Sequence, residues 1–245
     1  MEKRIDVLGI EFDNLTPDEA LLNAERCIKT RSASYVVTPN PEIVWSCRTN
    51  AELRAAVSGA EMVLADGIGI IYGAKILKTP LKGRVTGIGF AGALFGWLNE
   101  TGGSVYLFGA APGIAEKAGE KIAKRFPGLK IVGVHDGYFT DETPIIADIN
   151  AKRPDFLMVC LGFPKQELWA QKNREKLDVG LMACLGGSLD VLAGEVARAP
   201  VWMQKCGLEW LYRLIRQPSR LGRMMSLPKF LFAVILRRFG KGKNG

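Results

Sequence analysis

The sequence predicts an α/β fold: a Rossmann-like, largely parallel sheet with helices on both faces, followed by a basic helical appendage. Three observations carry this. Short continuous apolar runs, among them Tyr35-Val36-Val37, Val105-Tyr106-Leu107-Phe108 and Phe156–Leu161, have the length and composition of strands buried on both sides. Segments of helical periodicity alternate with these runs, as βαβ units require. The charge is also unevenly placed. Residues 201–245 hold ten Lys/Arg against the single acid Glu209, a net +9, so residues 1–200 carry −1 of the total +8. Residues 1–199 therefore read as the α/β domain and residues 200–245 as a basic amphipathic appendage.

Taken in order, Arg4 to Phe12 alternates and fits a small edge hairpin around Gly9. Thr16-Pro17-Asp18-Glu19 is a capping box with proline at the first helical position, opening a helix to about Lys29 that buries Ala20, Leu21, Ala24 and Ile28. Ser34 to Thr38 is a strand. It runs into Thr38-Pro39-Asn40-Pro41-Glu42, where two prolines stiffen a loop and keep its first residues out of a helix. A helix from Asn50 to Ala56 leads to the apolar run Val63-Leu64-Ala65, which ends at Asp66. Gly67 and Gly69 follow as a tight turn, with a new helical segment from Ile70. Gly83 to Gly92 is glycine-rich and contains Arg84 and Thr86, ahead of a helix from Phe90 to Asn99.

The second half repeats the pattern. Strand Ser104–Phe108 meets Gly109-Ala110-Ala111-Pro112-Gly113 and a helix from Ile114 to Phe126. Strand Lys130–Val134 precedes His135-Asp136 and a helix from Pro144 to Asn150. Strand Phe156–Leu161 ends in Gly162-Phe163-Pro164-Lys165-Gln166-Glu167, and strand Val179–Leu185 ends in Gly186-Gly187-Ser188-Leu189-Asp190. In the tail, Trp202, Cys206, Trp210 and Leu214 recur at helical spacing, and Pro218 divides the segment into two helices. Phe230 to Leu236 is apolar and closed by Arg237-Arg238, which suits a helix lying in a membrane interface.

Composition excludes several classes. There is no run of about 20 apolar residues to span a bilayer, and Met1-Glu2-Lys3-Arg4 is too charged to begin a secretory signal. The five cysteines are odd in number and scattered, which fits free thiols of a reducing cytoplasm rather than a disulfide framework or a zinc site. With His135 the single histidine, His-rich metal sites are excluded. The chain contains no Asp-x-Asp pair to hold a metal on a nucleotide diphosphate, so no cofactor and a metal-independent reaction are expected.

In a parallel sheet the strand ends converge on one crevice, where ligands bind. That crevice would gather Asp66 as a lone carboxylate, Thr38, Asn40 and Gln166 as orienting groups, and the turns at Gly109, Gly187 and Asp190 as a place for phosphate. Asp66 can equally cap the next helix, and the Gly109 turn lacks the full G-x-G-x-x-G spacing and reads as well as a plain turn. Leaving-group charge would fall to backbone N–H groups and to Arg84, Arg213, Arg216, Arg220 and Arg223 if the tail folds over the site.

Thr38-Pro39-Asn40-Pro41-Glu42, Ala65-Asp66-Gly67-Ile68-Gly69, Gly162-Phe163-Pro164-Lys165-Gln166-Glu167 and Gly186-Gly187-Ser188-Leu189-Asp190 occur in this order. Together they resemble the WecG/TagA/CpsF family of bacterial glycosyltransferases, over about residues 1–200. The resemblance is nearest to the TagA-like members. It implies an inverting transfer of an N-acetylmannosamine-type sugar from a UDP donor to a GlcNAc-diphosphate-polyprenol, the linkage-unit step of wall teichoic acid; in WecG-like members the sugar is the uronic acid. It implies that Asp66 is the catalytic base and that Thr38 binds or orients substrate. It also gives the basic tail a purpose, holding a cytoplasmic protein on the anionic inner face of the cell membrane, where the lipid-linked acceptor lies.

Two other classes stand beside this one. A nicotinamide-dependent oxidoreductase would use the Gly109 turn and an acid near the next strand end, where His135-Asp136 falls. A non-enzymatic lipid or nucleic-acid binder would rest on the tail alone, and the body carries no nucleic-acid motif, so no nucleic-acid partner is expected. The apolar tail can pack against lipid or against a second subunit of a homo-oligomer.

Overall fold

The computed structural model of the chain describes residues 4–218 and 221–240, with the side chains at 201, 205, 213 and 223 outside the described set. β1 (Ile5–Val7) and β2 (Ile10–Phe12) form the expected antiparallel hairpin. α1 (Pro17–Thr30) opens on the capping box: the Glu19 amide donates to Thr16 Oγ1 at 3.3 Å and the Thr16 amide to Glu19 Oε2 at 2.7 Å. β3 (Ser34–Val37) leads through α2 (Pro41–Ser46) and α3 (Ala51–Ser58) to β4 (Met62–Val63), α4 (Ile68–Ile76) and α5 (Gly87–Thr101). β5 (Ser104–Gly109), α6 (Ile114–Arg125), β6 (Lys130–His135), α7 (Thr143–Lys152), β7 (Phe156–Cys160) and α8 (Lys165–Asn173) follow, then β8 (Leu181–Cys184) and α9 (Ser188–Leu192). The tail forms α10 (Val201–Lys205), α11 (Glu209–Arg216), α12 (Leu221–Met224) and α13 (Ser226–Gly240).

β3 to β8 make one six-stranded sheet in the order β4-β3-β8-β7-β5-β6, with every pairing parallel. Alternate residues of each strand enter different cores. Tyr35, Val37, Phe108, Val159 and Met182 face a core closed by α2, α3, α4, α7 and α8. Val36, Leu107, Met158 and Ala183 face one closed by α1, α5, α6 and α9. Each Val, Leu, Met or Phe among them contributes about 1.5–3 kcal/mol when fully buried, which is why these strands read as unbroken apolar runs.

Local boundaries differ from the sequence expectation in several places, and the tail forms four helices among the described residues rather than the two expected from Pro218. Pro41 does not extend the loop after β3; it is the first residue of α2, because a proline needs no helical N–H partner there and its φ is preset. The strand before Asp66 is paired only at Met62–Val63, although Leu64 N–H still reaches Val37 O at 2.9 Å. α4 starts at Ile68, since Gly67 makes the whole turn at φ 90°. α5 starts at Gly87, capped by Thr86, because burial of Phe90, Ala91 and Leu94 overrides the low helix propensity of its glycines.

Among the described residues no helix is long and apolar enough to cross a membrane. α13 is longer than Phe230–Leu236 and packs on the body against α2 and α4. Phe230 and Val234 enter the first core, and Arg237 makes a two-pronged ion pair with Asp6 at 2.8 and 3.0 Å. Its other side leaves Leu231, Phe232, Ile235, Leu236 and Phe239 exposed. The sequence division at residue 200 therefore does not coincide with a gap in packing.

Candidate active site

β3 and β8 are neighbours, but the segment after β3 runs to one face and the segment after β8 to the other. The crevice this opens at the strand carboxyl ends is a cleft of about 1260 Å³. That exceeds the ~300–1,000 Å³ of an ordinary small-molecule site.

Thr38 stands at the end of β3, and its hydroxyl donates across to Cys184 O at the end of β8, 3.2 Å away. Asp66 lines the same cleft. Its Oδ2 accepts the Gly87 amide at 3.4 Å, so the carboxylate sits at the positive end of the 15-residue α5. The turn that carries it is pressed against the Thr38–Pro41 segment: a Cβ on Gly69 would lie 2.6 Å from Pro41 Cγ, so any side chain there would drive the two apart.

Asn40 also lines the cleft, but its Oδ1 is used as the cap of α2, accepting the amides of Glu42 and Ile43 at 2.9 and 3.1 Å. Gln166, which follows the cis Phe163-Pro164 peptide, lines the cleft although little of it is exposed. Its Oε1 accepts the Gly186 amide at 2.9 Å and its Nε2 donates to Glu167 Oε1 at 2.8 Å. Gly187, Ser188 and Asp190 continue the wall from the start of α9.

Three expectations need correction. Gly109 is not on the cleft wall; it is wedged against the Cys160 backbone, which leaves no room for a Cβ, and the turn presents Ala110 and Ala111 instead. Arg84 does reach the cleft, but it is paired with Glu209 of α11 at 2.8 Å. Arg198 approaches the other oxygen of Glu209 at 3.7 Å. Of the tail arginines, Arg216 is exposed and outside the cleft lining, because α11 turns Glu209 and Trp210 toward it and leaves its last turn outside. Arg220 and the side chains of Arg213 and Arg223 lie outside the described residues. The tail does fold over the site: Gly207, with φ 71°, brings its backbone against Ile68 at the mouth.

Residues absent from the sequence expectation line the opposite lobe. His135 Nδ1 donates to Asp136 O at 2.9 Å, which leaves Nε2 as the acceptor in the neutral ring. Lys165 donates to Gly137 O at 2.9 Å and lies 4.0 Å over the Phe139 ring. His135 closes β6 and Lys165 opens α8 after β7, so the carboxyl ends of those strands were the available signal, no less than that of β3. Behind the wall, burial pushes the Glu167 carboxyl up to about 7. Among the described residues no group of three His, Cys, Asp or Glu side chains is arranged to hold a metal ion.

Known proteins are similar to this chain over most of its length. The model of the glycosyl transferase WecG/TagA/CpsF family matches residues 5–244. The chain is 36% identical over 202 residues to the N-acetylglucosaminyldiphosphoundecaprenol N-acetyl-beta-D-mannosaminyltransferase of Bacillus spizizenii, covering 82% of this chain and 79% of that one. It is 32% identical over 235 residues to the protein of the same name from Staphylococcus aureus strain MW2, covering 94% and 92%. It is 34% identical over 208 residues to that of Bacillus subtilis, covering 85% and 81%.

Proposed function

The chain belongs to the glycosyl transferase WecG/TagA/CpsF family, and on that premise we propose that it transfers N-acetylmannosamine from UDP-ManNAc to the GlcNAc of a GlcNAc-diphosphate-polyprenol, the linkage-unit step of wall teichoic acid. The relatives carry that transferase's name. The observation that carries the reading is that Asp66 and Thr38 line one cleft large enough for two substrates.

The acceptor hydroxyl attacks the anomeric carbon opposite the departing UDP, with inversion. Asp66 takes the hydroxyl proton, for which a carboxylate within hydrogen-bond reach suffices. Thr38 and Gln166 orient the sugars. Thr38 does so through its oxygen lone pairs, because its proton is given to Cys184 O, and Asn40 through its amide NH₂, because its oxygen caps α2. The Gly187 turn and Asp190 hold the nucleotide. Arg84 meets the diphosphate by exchanging its Glu209 partner for a phosphate oxygen. The chain lacks an Asp-x-Asp pair, and turnover is proposed to need no metal ion.

The test is UDP release from UDP-ManNAc with a GlcNAc-diphosphate-lipid analogue, with and without chelator. Turnover that survives EDTA is expected. Release from the UDP-linked uronic acid alone would move the donor to that sugar, and no release from either would overturn the reading.

A lipid-linked acceptor requires contact with a membrane, and the exposed side of α13 supplies it: Phe232 and Phe239 are 62% and 74% exposed, on a helix ending in Arg237 and Arg238. We place the protein peripherally on the inner leaflet by this face. Phe232→Glu with Phe239→Glu is expected to weaken co-sedimentation with anionic vesicles by about a hundredfold, the value of two half-buried phenylalanines. Activity on a short-chain, water-soluble acceptor should remain. Undiminished sedimentation would remove α13 from the membrane contact.

A further inference from the structure

Behind the cleft wall, α8 buries a carboxyl group for which the transfer reaction has no direct use. Glu167 is 1% exposed. Its Oε2 has no hydrogen-bond partner, and among the described residues no Lys or Arg forms an ion pair with it. The groups that face it are the Cys184 thiol on β8 and the Cys47 thiol at the end of α2; Tyr35 on the adjacent β3 gives its hydroxyl to Ala56 O. Burying a polar group with an oxygen unsatisfied costs stability, and an apolar residue of similar size would avoid that cost.

The satisfied oxygen explains the arrangement. Gln166 can present its amide in two orientations. In one, Oε1 meets the Gly186 N–H; in the other, NH₂ would face that N–H, donor against donor. Glu167 Oε1, an acceptor 2.8 Å from Gln166 Nε2, selects the first. Gln166 Oε1 then holds Gly186, whose φ of 55° shapes the turn into Gly187 and α9. The Cys184 thiol donates to Gln166 O at 3.4 Å and ties the same helix to the end of β8.

We propose that Glu167 is a positioning residue: it fixes the Gln166 amide and, through it, the Gly186–Gly187 turn that walls the nucleotide side of the cleft. The inference rests on the transferase reading for the identity of the ligand, but not for the relay itself. The relay needs an acceptor at Glu167 Oε1. It does not need a charge, and with no cation in contact the neutral form is the one suited to the site. Burial places the carboxyl at about 7, so the group is neutral below that pH and ionises above it, bringing a charge into an apolar region.

The experiment compares wild type, Glu167→Gln and Glu167→Leu. Gln keeps an acceptor oxygen and cannot ionise; Leu keeps the volume and loses the acceptor. Glu167→Leu should melt no lower than wild type, yet raise KM for UDP-ManNAc about tenfold, the value of one hydrogen bond lost, with a smaller change in kcat. It should also speed amide hydrogen exchange at residues 186–187. Glu167→Gln should restore KM and exchange to within about twofold. Exchange and KM unchanged in Glu167→Leu, or a Gln variant that behaves like Leu, would overturn the proposal. Hydrogen exchange needs no substrate. Faster exchange without turnover of UDP-ManNAc by wild type would therefore overturn the assigned reaction and leave the relay standing.

Discussion

Replacing Asp66 with asparagine is expected to lower kcat by about 10²–10⁴-fold, the ordinary contribution of a positioned general base, with KM and the melting temperature nearly unchanged. Asparagine is the informative substitution because it keeps an acceptor oxygen for the Gly87 amide, now 3.4 Å from Oδ2. The turn against Pro41 is likewise undisturbed, since Gly67 and Gly69 remain. What is lost is the ability to take the acceptor hydroxyl's proton. Single-turnover assays of UDP release with saturating acceptor would isolate this step from binding. A variant that turns over at the wild-type rate while folding normally would leave Asp66 as the helix-associated residue that its simplest sequence reading also allowed.

Phe230→Ala is expected to cost about 3–5 kcal/mol, the usual cost of truncating a fully buried phenylalanine. For a chain of this size that is roughly a 10 °C fall in melting temperature. Phe230 is 1% exposed and fills the space beside Gly73, where an added Cβ would lie 3.0 Å from its ring. Phe232, two residues on and 62% exposed, is the internal control: its alanine variant should stay within about 0.5 kcal/mol. The effect should reach the site as well. α13 braces α2 and α4, whose first turns follow Asn40 and Asp66, so activity should fade below the melting temperature. A chain ending before residue 201 lacks that brace and should be unstable. Coincident melting of Phe230→Ala and wild type would show the helix to be dispensable.

Much of this was legible in the sequence. The apolar runs at 35–37, 105–108 and 156–161 could only be strands buried on both faces, and the Thr16–Glu19 box opened a helix where it had to. Asp66 stood out as a lone carboxylate between a buried run and two glycines, and the four ordered motifs carried the family. Less legible were the partners. Asn40 looked free to bind substrate, yet its oxygen is used locally to cap α2. Arg84 looked like an unpaired cation, yet a carboxylate 125 positions away neutralises it. Gly109 looked like a phosphate turn, yet it serves the close approach of β5 to β7.

The sequence by itself determined the elements and the chemistry each strand end offers, because periodicity, caps and glycine turns act within a few residues. Tertiary structure alone decided that β8 inserts between β3 and β7, bringing Gln166 to Gly186 and Thr38 to Cys184. It also decided that α13 shows one side to the core and the other to solvent. Those outcomes depend on strand order and on contacts between residues far apart in the chain, which no local pattern of apolar and polar side chains encodes.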